Sequence, residues 1–106
     1  MASMTKTKKQ PYEAYFVYGD FAPVMDDAET IDIFTATAVD KDGADATADV
    51  LESGSIQVGT DDNVHKVFVR IIDGVNSLSP YKFTIKIETS TGNKWEIDGI
   101  IKVKEI

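Results

Sequence analysis

The side chains that could do chemistry in this 106-residue chain are one histidine, His65, and eighteen acids, with no cysteine at all. A nucleophilic triad needs its histidine beside a serine and an aspartate, with backbone donors for the oxyanion. The sequence holds no Gly-x-Ser-x-Gly turn, and His65 stands at the head of a β-patterned run, so its reading is structural. Without cysteine, disulfide frameworks, zinc sites and thiol catalysis fall together. Gly54, Gly59, Gly74 and Gly99 are isolated and make no phosphate-cradling loop. Paired carboxylates for glycoside cleavage need two acids about 5–10 Å apart in a cleft. With eighteen acids such a pair arises by chance and carries no signal. The reading is non-enzymatic, without a cofactor.

Two patterns point to binding instead. Asp40, Asp42 and Asp45 around Gly43 have some of the spacing of a calcium loop, which needs several hard oxygen ligands close together. The next ligand position is Ala44 and the distal acid falls on Leu51, so they are weak calcium candidates, and an Asp-Gly turn uses the same residues without metal. Asp26, Asp27, Asp61 and Asp62 are further acids that a sandwich end would have to bring together. The second pattern is aromatic: Tyr12, Tyr15, Phe16, Tyr18 and Phe21 crowd one segment. Exposed rings stack on sugars or anchor protein interfaces. The plainer expectation is that Phe16 joins Trp95 and Phe83 in the core while the tyrosines cover an edge. Tyr12, Tyr15 and Tyr18, with Phe68, Ile72 and Ile100 on otherwise wet faces, form the candidate interface.

These residues need elements to position them, and the elements are strands. Tyr81, Phe83, Ile85 and Ile87 alternate with Lys82, Thr84, Lys86 and Glu88. Trp95, Ile97, Ile101 and Val103 hold the same odd phase after a turn. Period two marks a strand with one buried face. Two strands burying odd positions must pair with an even sum, Ile87 against Trp95, because a one-residue slip turns every side chain over. That selects the three-residue loop Ser90-Thr91-Gly92, with Gly92 left-handed at its end. Val67, Val69 and Ile71 give another strand a core face, opposite Lys66, Phe68, Arg70 and Ile72. Tyr12 to Tyr18 reads as a first strand, and Thr30 to Val39 as a second with a bulge near Ile33-Phe34 where its phase changes. Ser55 to Val58 reads as a short strand. Ala44 to Glu52 accepts either a helical turn or a strand. Residues 1–11 read as a disordered tail and residues 12–106 as one domain. Short strands at turn spacings argue an all-β fold, a single antiparallel sandwich of six to seven strands.

Charge narrows the partners. Eleven basic residues face eighteen acidic ones, a formal charge of -7, and Lys6, Lys8 and Lys9 lie in the expected tail. A folded part this acidic is not expected to bind nucleic acid or an anionic membrane. No apolar run approaches about 18 residues, the length of a spanning helix, and no apolar stretch follows the N-terminal lysines to make a secretory signal.

Three stretches resemble a known family. Asp27-Ala28-Glu29-Thr30-Ile31 is similar to a turn opening a second strand; Asp45-Ala46-Thr47 with Val50-Leu51 to an Asp-Ala-Thr segment; Tyr81 to Thr89, Thr91-Gly92-Asn93 and the run to Val103 to a closing hairpin. Together they resemble the small immunoglobulin-like domain proteins of tailed phages and prophages, encoded among neck and tail genes. The resemblance implies an immunoglobulin-like sandwich without catalytic residues. It implies a virion structural protein of the neck, tail or fibre-adaptor region, made in the bacterial cytoplasm and joined to other virion proteins or copies of itself. The alternative is a stand-alone immunoglobulin-like module for glycan binding or cell-surface adhesion.

Overall fold

A computed structural model describes the backbone of residues 5–104. Among these residues seven strands are formed: β1 (Thr5–Lys9), β2 (Tyr15–Asp20), β3 (Ile31–Val39), β4 (Gln57–Val58), β5 (Lys66–Ile71), β6 (Tyr81–Thr89) and β7 (Lys94–Val103). One helical turn, α1 (Thr47–Val50), joins β3 to β4. The sheets have the orders β1-β7-β6-β3 and β2-β5-β4. This is the immunoglobulin-like arrangement, in which the second, fourth and fifth strands form one sheet and the third, sixth and seventh the other. The fold is an immunoglobulin-like β-sandwich.

Between the sheets lie Val17, Phe21, Val67, Val69 and Ile71 from one side and Phe83, Ile85, Ile97, Ile101 and Val103 from the other, all buried. Tyr81 opens β6, fully buried, and its hydroxyl accepts the Val75 N–H at 3.0 Å. A tyrosine tied to upstream backbone at this corner is a recurring device of the fold. Antibody domains place a disulfide cysteine two residues further on; here that residue is Phe83. Its ring lies where Gly99 has no side chain, for a Cβ there would sit 2.1 Å from the ring.

The closing hairpin has the register its phase requires. Ile87 faces Trp95, Thr89 N–H donates to Asn93 at 2.9 Å, and Gly92 has φ +82°. The β3 bulge falls at Asp32, between Ile31 and Ile33, one residue before the expected place. Beyond it Phe34, Ala36 and Ala38 take the core side, opposite Ile87, Ile85 and Phe83. Segment 44–52 mixes both expectations: Asp45 bridges Val39 and Leu51 bridges Ile71, with α1 between them.

Several expectations are corrected. Thr5–Lys9, read as disordered tail, is a strand paired in parallel with Gly99–Val103 of β7; residues 1–4 lie outside the described part. A segment such as Thr-Lys-Thr-Lys-Lys has no apolar period, but backbone bonds to a free edge do not need one. Lys9 is buried, and its ammonium donates to the carbonyls of Asp73 and, at 3.3 Å, Pro11. Burial pushes its pKa down, against the pull of Asp73 and Glu13. Tyr12 is not in a strand, since β2 begins at Tyr15. Phe16 is not in the core. Val17, Gly19 and Phe21 point inward, so Phe16 and Tyr18 point out. Trp95 keeps the core phase, opposite Ile87, but stands at the second position of β7 beside the hairpin turn, at the end of the sheet, and is partly exposed.

Candidate interaction surface

The outer face of β2-β5-β4 brings the exposed rings together. Strand alternation sets Phe16 opposite Arg70, Tyr18 opposite Phe68 and Asp20 opposite Lys66, with Gln57 flanking Phe68 from β4. Phe16 and Tyr18 are 47% and 45% exposed, large values for rings in mid-strand. The Tyr18 and Phe68 rings are tilted against each other with centroids 5.4 Å apart, a favourable aromatic geometry. Lys66 Nζ lies 4.8 Å from the centre of the Tyr18 ring, a cation–π contact on the other side of the pair. Gly59 permits the seat of Phe68, since a Cβ there would lie 2.9 Å from its ring and 2.5 Å from the Asn63 carbonyl.

One groove borders these rings and a second lies beside Arg70. The first, of about 420 Å³, runs between Phe16, Phe68, Gly59 and Asn63. The second, of about 510 Å³, lies between Tyr12, Glu13, Tyr15 and Arg70. The Arg70 Nε is enclosed without a hydrogen-bond partner and stands 3.9 Å from Glu52 Oε1, both side chains being about half exposed. Such a pair contributes little to stability. With 40% of its side chain exposed, Arg70 is accessible on this face.

The candidate interface set divides. Tyr18 and Phe68 lie on this face, joined by Phe16. Tyr12 stands at its margin, in a turn and almost wholly exposed. Tyr15 bridges β2 to β1 through its hydroxyl, which donates to the Lys8 carbonyl at 3.0 Å. Partial burial, then Glu13, pushes that phenol's pKa up. Ile72 is half-buried just past β5. Ile100 is on the other sheet, opposite Lys82, and belongs to a different surface. The signal for Phe16 was Phe21: counting back from a buried Phe21 puts Val17 and Gly19 inside and Phe16 outside.

The remaining candidates are used by the fold. Asp40 Oδ1 accepts the N–H groups of Asp42 and Ala44 at 2.8 and 3.1 Å, closing the turn. Asp45 Oδ1 accepts the hydroxyl and N–H of Thr47 at 2.7 and 3.1 Å, which hold its pKa below the usual carboxylate value. Among the described residues no three acids or histidines gather to hold a metal ion, so neither the calcium candidates nor Asp26, Asp27, Asp61 and Asp62 form a cluster. His65 has a ring nitrogen 2.9 Å from the Glu29 carbonyl, and its own carbonyl accepts Phe21 N–H. Glu29, itself buried, accepts Thr91 Oγ1 at 2.6 Å and Asp26 N–H at 3.0 Å. Thr89, Thr91 and Asp26 together hold its pKa below the usual range. This cluster fastens the hairpin tip to the loop before β3. Among the described residues no helix is long and apolar enough to cross a membrane.

No protein-family model and no curated protein matches the chain. Among solved structures, the crystal structure of Dpr11 IG1 bound to DIP-gamma IG+IG2 is similar with a TM-score of 0.46 at 15% identity. The likeness covers 94% of this chain and 46% of that one.

Proposed function

We propose that the chain is a non-enzymatic protein-binding module and that the outer face of β2-β5-β4 is its working surface. One observation carries this reading: Phe16 and Tyr18 stand exposed, with a half-buried Phe68 and Arg70 beside them, on one sheet of an acidic protein. Aromatic rings and arginine are the residues enriched where protein interfaces bind most strongly. Folding alone does not account for two exposed rings, Phe16 and Tyr18, on a solvent face.

The setting we infer is the virion of a tailed phage or prophage, in the neck, tail or fibre-adaptor region. Support for it is the resemblance of three stretches, Asp27-Ala28-Glu29-Thr30-Ile31, Asp45-Ala46-Thr47 with Val50-Leu51, and the closing hairpin from Tyr81 to Val103, to small immunoglobulin-like proteins of such particles. The test is mass spectrometry of purified particles from cells carrying the gene in its native context. The chain is expected in the particles, and a Tyr18→Ser/Phe68→Ser double variant is expected to enter them at least tenfold less while folding normally. Particles without the chain would set the virion reading aside. Equal incorporation of the double variant would set the surface aside.

The second reading, a stand-alone module for glycan binding or adhesion, draws on the groove of Tyr12, Tyr15, Glu13 and Arg70. Rings beside hydrogen-bonding groups are what a sugar needs. Specific retention on a glycan array, lost in Tyr12→Ala, would favour it over the virion.

A further inference from the structure

The sandwich has four edge strands, β1, β3, β2 and β4. Natural proteins blunt edges with lysines, shortness, bulges or cover. β1 carries Lys6, Lys8 and Lys9, and β4 is two residues long. β2 ends in Gly19-Asp20 and is tied to β1 by the Tyr15 hydroxyl. β3 differs. From Ile33 to Thr37 it offers Ile, Phe, Thr, Ala and Thr, with no charge, proline or glycine.

That stretch also has open backbone groups. Ala38 directs its backbone away from β6: its carbonyl accepts Ala46 N–H at 2.9 Å and its N–H donates to Thr47 Oγ1 at 3.0 Å. Alternation along the strand sends the N–H and C=O of Phe34 and Ala36 to the same open side. The chain folds back at Asp40–Asp45 as if to cover this edge, then leaves it at Ala46 for α1. Phe34 and Ala36 stay uncovered.

We propose that β3 of a second copy of this chain occupies the edge, antiparallel, about a two-fold axis at Thr35. In that register Phe34 of each copy exchanges two hydrogen bonds with Ala36 of the other. The core-side pairs set a large residue against a small one, and the outer pairs set Ile33 against Thr37. A second copy fits better than an unrelated strand because the stretch is complementary to itself about Thr35. Within these five residues no charge meets a like charge, in a chain of formal charge -7. The bulge at Asp32 and the α1 seat at Ala38 end the open stretch on either side, identically in both copies. Ile33, 56% exposed, gains a neighbour. Two four-stranded sheets become one of eight. A contact this short is transient in dilute solution and gains strength where copies are already held close, as multivalency provides. It uses the opposite sheet from the aromatic face, so it stands or falls independently of that reading.

The absence of cysteine makes the test clean. At the axis the two Thr35 residues form a non-hydrogen-bonded antiparallel pair, whose Cα atoms lie about 4.5 Å apart, within the span of about 4.4–6.8 Å that a disulfide bridges. Thr35 is exposed, so Thr35→Cys leaves the core intact. Under mild oxidation Thr35→Cys is expected to form covalent dimer at least tenfold faster than Lys102→Cys, a single thiol in the middle of the sheet. Adding Thr37→Lys, which sets a charge beside the axis twice, is expected to bring the rate down to the Lys102→Cys value, with unchanged circular dichroism. Equal rates for Thr35→Cys and Lys102→Cys, or a dimer that survives Thr37→Lys, would overturn the proposal. Exclusive cross-linking to a different protein in host extract would overturn it in favour of a foreign strand.

Discussion

The outer faces of the two sheets are built by the same alternation and carry opposite chemistry. Across β6 and β7 the outward pairs are Lys82 with Ile100, Thr84 with Asp98, Lys86 with Glu96 and Glu88 with Lys94. Thr84 Oγ1 donates to Asp98 at 2.8 Å within that array. Across β2 and β5 the pairs are Phe16 with Arg70, Tyr18 with Phe68 and Asp20 with Lys66. The first set keeps water on its face and discourages sticking. The second exposes rings that water does not reward. Their inner faces are alike, both apolar and largely buried. The inner side chains are therefore accounted for by folding, and the outer side chains of the three-stranded sheet are where something else acted.

If that division holds, inner substitutions should unfold the protein whatever the outer face carries. The largest effect is expected at Phe83, fully buried against Gly99. Phe83→Ala should cost roughly 3–5 kcal/mol in chemical denaturation, and a loss under about 1 kcal/mol would contradict the shared core. On the outer aromatic face the order reverses. Phe68→Ser should weaken partner binding by about 2 kcal/mol or more, the size of an interface hot spot, and leave the melting temperature within a few degrees. A variant that unfolds instead would make Phe68 a core residue and erase the contrast.

The hairpin tip belongs to neither face and serves as a control. Gly92→Val, at φ +82° with open space around it, should cost about 1–2 kcal/mol through backbone strain alone and should not change binding. The Glu29 cluster nearby gives the smallest effect and a pH signature. Its folded pKa is lowered, so its stabilisation is complete above the ordinary carboxylate pKa and is lost as pH falls through the folded value. Glu29→Gln should therefore flatten the decline in melting temperature below about pH 4. An unchanged acid limb would mean that Thr89 and Thr91 do not favour the ionised form.

Much of this architecture was legible where period two was regular. Residues 81–103 carried their own register, because Ile87 and Trp95 had to share a face and only a three-residue loop permits it. β5 showed its inner face through Val67, Val69 and Ile71, and the change of phase in β3 required the bulge now located at Asp32. The readable signal failed where small or polar residues held structural places. Gly19 takes a core position beside Ile85, Ile97 and Phe21, so the rings of Phe16 and Tyr18 outweighed Val17 and reversed the apparent inside. β1 was unreadable because it is held by backbone pairing and by the buried Lys9 ammonium. The aromatic face was legible only in its residues: Tyr18 and Phe68 were evident candidates, but their pairing and the company of Arg70 depend on a register between strands about fifty residues apart.

Residue-level oxidative footprinting, applied to the chain in its native assembly and to the isolated chain, tests the working surface most directly. Protection of Phe16, Tyr18 and Phe68 in the assembly, with Lys82, Lys86 and Ile100 as reactive as in isolation, is the expected result. Protection confined to the charged face, or equal reactivity of all six residues in both states, would contradict the account.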